Sequence, residues 1–291
     1  APDGFLGYTP RQLNLGHWLP TVAVWQDEAW ASREPVYVGE QELLEVADWD
    51  ITLNLTGVTQ SNMPRIAAPG TVSQIAPMTW RYALENARDF SASISDSFYV
   101  DIRTLDDGTA IELYSFESAR VHTNEAGVSA PEFAADIAAM SLEMYADLFG
   151  DYPYERLVVV QGDFPDGMEF SGLVFIGGTW FTRWPGGVES YLALITVHEI
   201  SHQWWYLRVG NDSALHPWLD EALATYSEYI FLEEYYPELR DWWWGFRVDS
   251  FYPDGFVDST VYEFDNARGY INAVYLRGVQ MLDDLRDDLG T

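Results

Sequence analysis

The chain has no cysteine and no lysine: all 15 basic residues are arginine, set against 46 Asp and Glu in 291 residues. Without Cys there are no disulfides, no thiolate metal ligands and no thiol nucleophile. A net charge of −31 leaves little cationic surface to hold phosphate, so no nucleic-acid partner is expected, and anionic membranes repel the chain. No uncharged apolar run approaches the roughly 18 residues of a membrane span, so no membrane insertion is expected. No glycine-rich phosphate loop follows a strand, and no Gly-x-Ser-x-Gly elbow is present. Apolar residues make up 48%, enough to build a core. The dense carboxylates fit adaptation to salt, where a hydrated acidic surface is screened, and Arg in place of Lys fits a GC-rich genome equally.

The length fits two domains. Residues 46–56 alternate with period two and place Trp49, Ile51, Leu53 and Leu55 on one strand face. Residues 78–84 and 98–105 read the same way, and Asp106-Asp107-Gly108 turns the latter into a hairpin with 111–116. After about residue 130 the period changes. Residues 131–149 form an amphipathic helix ended by Gly150, 157–160 and 173–176 are short buried strands, and 189–209 is a helix ended by Gly210. Pro217 opens another helix that stops before Pro237, and a last helix runs over 270–289. The switch from strands to mixed elements near residue 96 predicts an N-terminal β-rich domain over 1–96 and a mixed domain over 97–291, an α+β fold.

The decisive stretch is His198-Glu199-Ile200-Ser201-His202. At about 100° per residue, His198, Glu199 and His202 share one helix face. Two imidazoles one turn apart can reach a single zinc ion, and the carboxylate beside them can reach a water on that ion. Zinc lowers the pKa of bound water toward roughly 7, where a carboxylate can accept its proton. The pattern arises by accident in roughly one chain in a hundred of this length. Its flanks, Leu192-Ala193-Leu194-Ile195 and Trp204-Trp205, are apolar, so the helix is expected to be buried; buried His and Glu without a partner would be costly. Glu221 follows His202 with 18 residues between them, in the first turn of the helix opened by Pro217. An acidic residue there also suits the helix dipole. With the His pair it completes a two-His, one-Glu site.

His198-Glu199-x-x-His202 followed by Glu221 within Trp-Leu-Asp-Glu-Ala resembles the gluzincin aminopeptidases, the group of aminopeptidase N and leukotriene hydrolase. Gly167-Met168-Glu169-Phe170 is similar to that family's Gly-x-Met-Glu-Asn segment, and Tyr275-Leu276-Arg277-Gly278 to its Tyr-x-Lys-Gly segment, with Tyr270 matching a further tyrosine. The resemblance implies a thermolysin-like catalytic domain behind a partial antiparallel β-sandwich. It implies one zinc ion held by His198, His202 and Glu221, with Glu199 as general base and Tyr275 as donor to the developing oxyanion. Glu169 would bind the substrate's α-amine, and Gly167 and Met168 would offer backbone to an extended peptide. The implied activity is hydrolysis of the N-terminal peptide bond of peptides. A zinc endopeptidase and a non-catalytic peptide-binding module that keeps the fold are the alternatives.

Besides Arg277 in place of the lysine, three positions depart from the family pattern: Asp166 replaces the leading glycine, Phe170 the asparagine, and Ala222 a glycine. They bear on amine recognition and pocket shape, not on the metal. No N-terminal residue matches the family's second amine-binding group, for which Gln12 is a weak candidate. Family members continue into a helical domain after the tyrosine helix, so an open cleft or a piece of a longer protein is expected. His17, His122 and His216 read as surface or packing residues, Trp242-Trp243-Trp244 as packing, and Asp283, Asp284, Asp287 and Asp288 as a solvated face. An acidic, Cys-free peptidase beginning at Ala1 fits an exported enzyme, extracellular or in the cell envelope, with the cytoplasm as the alternative.

Overall fold

The computed structural model describes residues 4–26 and 28–290, so residues 1–3, 27 and 291 of the two expected domains lie outside the described residues. The fold is mixed α/β and rich in antiparallel sheet. It divides into two compact units: one runs up to Pro20 and continues over Val46–Gln203, the other joins Thr21–Glu45 to the chain from Trp204 onward.

In the first unit, a three-stranded antiparallel sheet takes Ala47–Asn54, Thr79–Ala87 and Thr71–Ala76, with Thr79–Ala87 in the middle. Met78 sits in the left-handed turn joining its last two strands, so the strand predicted from residue 78 begins one residue later (φ 58°). The alternation read in the sequence holds here: Leu53 enters a core with Tyr82, Leu84 and Phe90, and Trp49 and Ile51 lie against it. A second antiparallel sheet combines Leu6–Tyr8, Leu13–Leu15, Ala92–Ser95 and Arg65–Ala67.

The sheet that matters for function has five strands: β1 (Tyr99–Thr104), β2 (Ala110–Ser115), β3 (Arg156–Gly162), β4 (Gly167–Phe170) and β5 (Leu173–Gly177). Their order is β1-β2-β3-β5-β4, with the two central pairings parallel and the two outer ones antiparallel. Residues 157–160, Leu-Val-Val-Val, are unbroken apolar text because both faces of this strand are covered. One face packs Tyr114, Phe116, Val158, Val160, Met168, Phe170 and Phe175 into a core. The opposite face receives helices α1 (Ala130–Phe149) and α2 (Tyr191–Ser201). Because Met168 and Phe170 point into the core, Gly167 and Glu169 point toward the helices.

The helix expected over 189–209 ends sooner. Regular turns stop at Ser201, His202 caps them, and the wide-pitch run Gln203–Arg208 is broken at Trp205 and Tyr206. Just before the break, the Gln203 side-chain amide donates to the Phe170 carbonyl (3.1 Å) and accepts from the Gly172 N–H (2.9 Å).

The second unit contains a small hairpin, Trp25–Gln26 with Ala29–Trp30, and two long helices, α3 (Trp218–Tyr235) and α4 (Arg277–Leu289). Its core joins Val38, Ala214, Val261, Tyr270 and Val274. The last predicted helix is present in three parts: Ala267–Tyr270, a wide-pitch run Ile271–Leu276, and α4.

Candidate active site

Helix α2 starts at Ser190, whose hydroxyl accepts from the Ala193 N–H, and it is apolar nearly all round, with Leu192, Ala193, Leu194, Val197 and Ile200 buried. A helix so enclosed carries its polar residues into the interior. His198, Glu199 and His202 are only 4%, 5% and 1% exposed. The two imidazole centroids lie 4.9 Å apart, and ring nitrogens from the pair come within 4.8 Å of each other. Neutral imidazoles at that spacing are a donor pair suited to zinc, and coordination offsets their burial.

Edge strand β4 brings its own residues to this helix. Glu169 is 5% exposed, so it is not a solvated loop carboxylate, and an oxygen of its carboxylate lies within 4.8 Å of a ring nitrogen of His202. Gly167, two residues back on the same strand face, lies so close to Glu199 that a Cβ built on it would fall 2.1 Å from the Glu199 Oε1. Met168 faces away into the core. The first unit thus gathers His198, Glu199, His202, Glu169 and Gly167 from two segments.

In the second unit, Glu221 lies in the first turn of α3 and is 4% exposed; its neighbour Asp220 is also buried and accepts from the Ser213 hydroxyl at 3.3 Å. Tyr275 comes from the wide-pitch run, stands edge-on to Tyr270 at 5.5 Å, and donates its hydroxyl to the Glu221 carboxylate. Burial first, and then the Glu221 charge, push the Tyr275 phenol well above its ordinary value. A residue the sequence reading missed joins them: the Glu40 carboxyl is hydrogen-bonded to Glu221, and burial followed by the Glu221 charge hold it well above the usual carboxylate range. Gly39 has a left-handed φ of 69°, and a Cβ there would meet the Tyr270 hydroxyl at 2.9 Å, so the chain can lay Glu40 down only by crossing that ring closely. The stretch before residue 45 lacks periodicity, and a carboxylate there gives no signal of its own.

The departures from the family pattern have local explanations. Asp166 adopts a left-handed φ of 62°, the backbone state that a glycine takes most easily. Phe170 is fully buried, edge-on to Phe5, His17 and Phe175, so the site's asparagine has become core. Ala222 fills the space left by Gly278, where a Cβ would approach it to 2.4 Å. Gln12 is a structural brace: it donates to the Ser93 hydroxyl and the Gln161 carbonyl and accepts from the Asp163 N–H. His216 is paired with Asp258 at 2.9 Å, and Trp243 is fully buried against Tyr229.

The Peptidase family M1 domain profile matches residues 133–290. The chain belongs to this peptidase family. Among curated M1 relatives, it is 26% identical over 208 residues to Aminopeptidase M1-A of Oryza sativa subsp. japonica, covering 66% of this chain and 23% of that protein. It is 32% identical over 130 residues to Aminopeptidase M1-B of the same plant, covering 42% of the chain and 15% of the relative. With Endoplasmic reticulum aminopeptidase 2 of Bos taurus it shares 25% over 248 residues, covering 82% and 25%. The chain therefore spans a quarter or less of the length of these M1 proteins. The M1 match takes in α2, α3, β4 and the tyrosine run, every segment that carries a site residue predicted from the sequence. Among the described residues, no helix is long and apolar enough to cross a membrane.

Proposed function

We propose that this chain is the catalytic part of a zinc aminopeptidase, with a thermolysin-like domain over residues 97–291 behind a partial β-sandwich over residues 1–96. The observation that carries this reading is Glu169. A buried carboxylate on an edge strand, beside an imidazole of the His198–His202 pair, would accept hydrogen bonds from a substrate's α-ammonium and so stop the peptide there. An endopeptidase would need that end open.

His198, His202 and Glu221 are assigned to the metal on their spacing, their burial and the family match. When bound, zinc would supply a Lewis acid that polarises the scissile carbonyl and acidifies water. Glu199 would take the proton from the attacking water and return it to the leaving amine. Tyr275 would turn its one O–H from the Glu221 carboxylate to the oxyanion as it forms. The backbone of Gly167 and Met168, on the free side of β4, would pair with the extended peptide. The acidic, Cys-free composition is the sole support for an extracellular or cell-envelope location.

The test compares aminoacyl fluorogenic substrates with their N-acetylated forms, alongside metal analysis. The expected result is one zinc per chain, cleavage of free-amine substrates alone, and loss of turnover with zinc retained in Glu199→Gln. Glu169→Gln should lower kcat/KM on free-amine substrates by 1–2 orders of magnitude, roughly the value of a charge-assisted bond. Cleavage of blocked substrates would point to an endopeptidase, and zinc binding without turnover to a non-catalytic module.

A further inference from the structure

We infer that Gly167 is a positioning residue for Glu199: its missing side chain is the space in which that carboxylate sits. The inference rests on the proposed role of Glu199 as general base and goes beyond it by naming what fixes the base in place.

Steric detail supports it. A Cβ on Gly167 would lie 2.1 Å from Oε1, 2.4 Å from Cδ and 2.7 Å from Cγ of Glu199. Ordinary contacts between such atoms are about 3.5–4.0 Å, so the overlap reaches along the stem of the side chain and not just its tip. Backbone conformation does not call for glycine here, because the left-handed residue of this turn is Asp166 and Gly167 itself has no positive φ. Neither partner can easily withdraw. Gly167 is held in register opposite Ile176, and the neighbouring Gly177 N–H donates to the Asp166 carbonyl at 2.6 Å. Glu199 is 5% exposed, on a helix whose remaining faces are packed.

With β4 held in register, a methyl group at 167 therefore turns the Glu199 side chain out of its position. That turn misplaces the proton acceptor by a fraction of an ångström or more, and displacements of about 1 Å cost on the order of a hundredfold in rate.

The experiment uses Gly167→Ala in the wild-type and Glu199→Ala backgrounds. In the first, kcat should fall by about a hundredfold, with zinc content unchanged. In the metal-free protein, Gly167→Ala should lower Tm by a few degrees, as overpacking does. That loss should vanish in the Glu199→Ala background, where the colliding atoms are gone. An equal Tm loss in both backgrounds, or full kcat in Gly167→Ala, overturns the inference. If Gly167→Ala fails to fold, Glu199→Ala should restore folding, and failure to do so also overturns it. The two readings fail separately: activity surviving in Glu199→Gln defeats the role of Glu199, whereas full activity in Gly167→Ala, with Glu199→Gln inactive, defeats only the positioning claim.

Discussion

Seven residues along α3 from Glu221, Glu228 is fully buried, and its carboxylate accepts from Arg247 Nη2 and Nε (both 2.9 Å) and from the Trp243 indole (3.2 Å). A buried carboxylate left without its cation costs about 3–5 kcal/mol, more than the pair itself contributes relative to apolar packing. Arg247→Met should therefore destabilise strongly in urea unfolding, while Arg247→Met with Glu228→Met recovers most of that loss. Asp163 gives the pH counterpart. Partial burial works to raise its carboxyl, but hydrogen bonds from Arg11 and Thr9 outweigh burial and hold it below the usual value. A carboxyl lowered in the fold stabilises above its unfolded value of about 3.9 and loses that contribution as pH falls through the folded value. Unfolding free energy should therefore fall less steeply below about pH 4 in Asp163→Asn than in the wild type. Which site residues were legible follows from spacing. His198, Glu199 and His202 announce themselves because helix geometry alone puts them on one face. Glu40 could not be found this way, since only a fold brings it to Glu221.

At the scale of elements, the strong periodic signals became helices and strands nearly in place, as with the 131–149 prediction and the observed Ala130–Phe149. Two misses lie at the site itself. Strand β4 is four residues long and follows a left-handed Asp166, too short for alternation to show. The run Gln203–Arg208 kept the apolar pattern of a helix, yet its backbone leaves helical geometry at Trp205 and Tyr206, which apolar periodicity does not report. The opening of α2 rests on one cap, the Ser190 hydroxyl accepting from Ala193 N–H at 3.3 Å and donating to Gly187 O at 2.8 Å. Ser190→Ala should cost about 1 kcal/mol and lower Tm by a few degrees. Because the cap lies two turns from His198, zinc affinity of the folded protein should stay within a few-fold; a loss of zinc binding larger than the loss of stability would show that α2 frays as one unit down to its ligands.

For the whole molecule, composition foretold a real core and periodicity a mixed fold, but neither foretold that Thr21–Glu45 would join the chain beyond Trp204, because periodicity reports local faces and carries no information on long-range partners. Composition does fix the response to salt. With 46 carboxylates against 15 arginines, the native state gathers a net charge of −31 that the unfolded chain spreads over a larger volume. Several arginines are already committed to single carboxylates, as in Arg81–Asp50, Arg240–Glu233 and Arg286–Glu233, so the surplus negative charge lacks local compensation. Raising ionic strength from 0.01 M to 1 M shortens the screening length from about 30 Å to about 3 Å, weakening repulsion between distant carboxylates while sparing the buried Glu228–Arg247 pair. Thermal unfolding in NaCl should show Tm rising most steeply over the first few hundred millimolar and then levelling. Sucrose at matched osmolality should raise Tm without that early steepness, since it strengthens burial by exclusion and screens nothing. A Tm that stays flat or falls across the NaCl series would mean that the acidic surface is already balanced site by site, and that net charge is a poor guide to the stability of this fold.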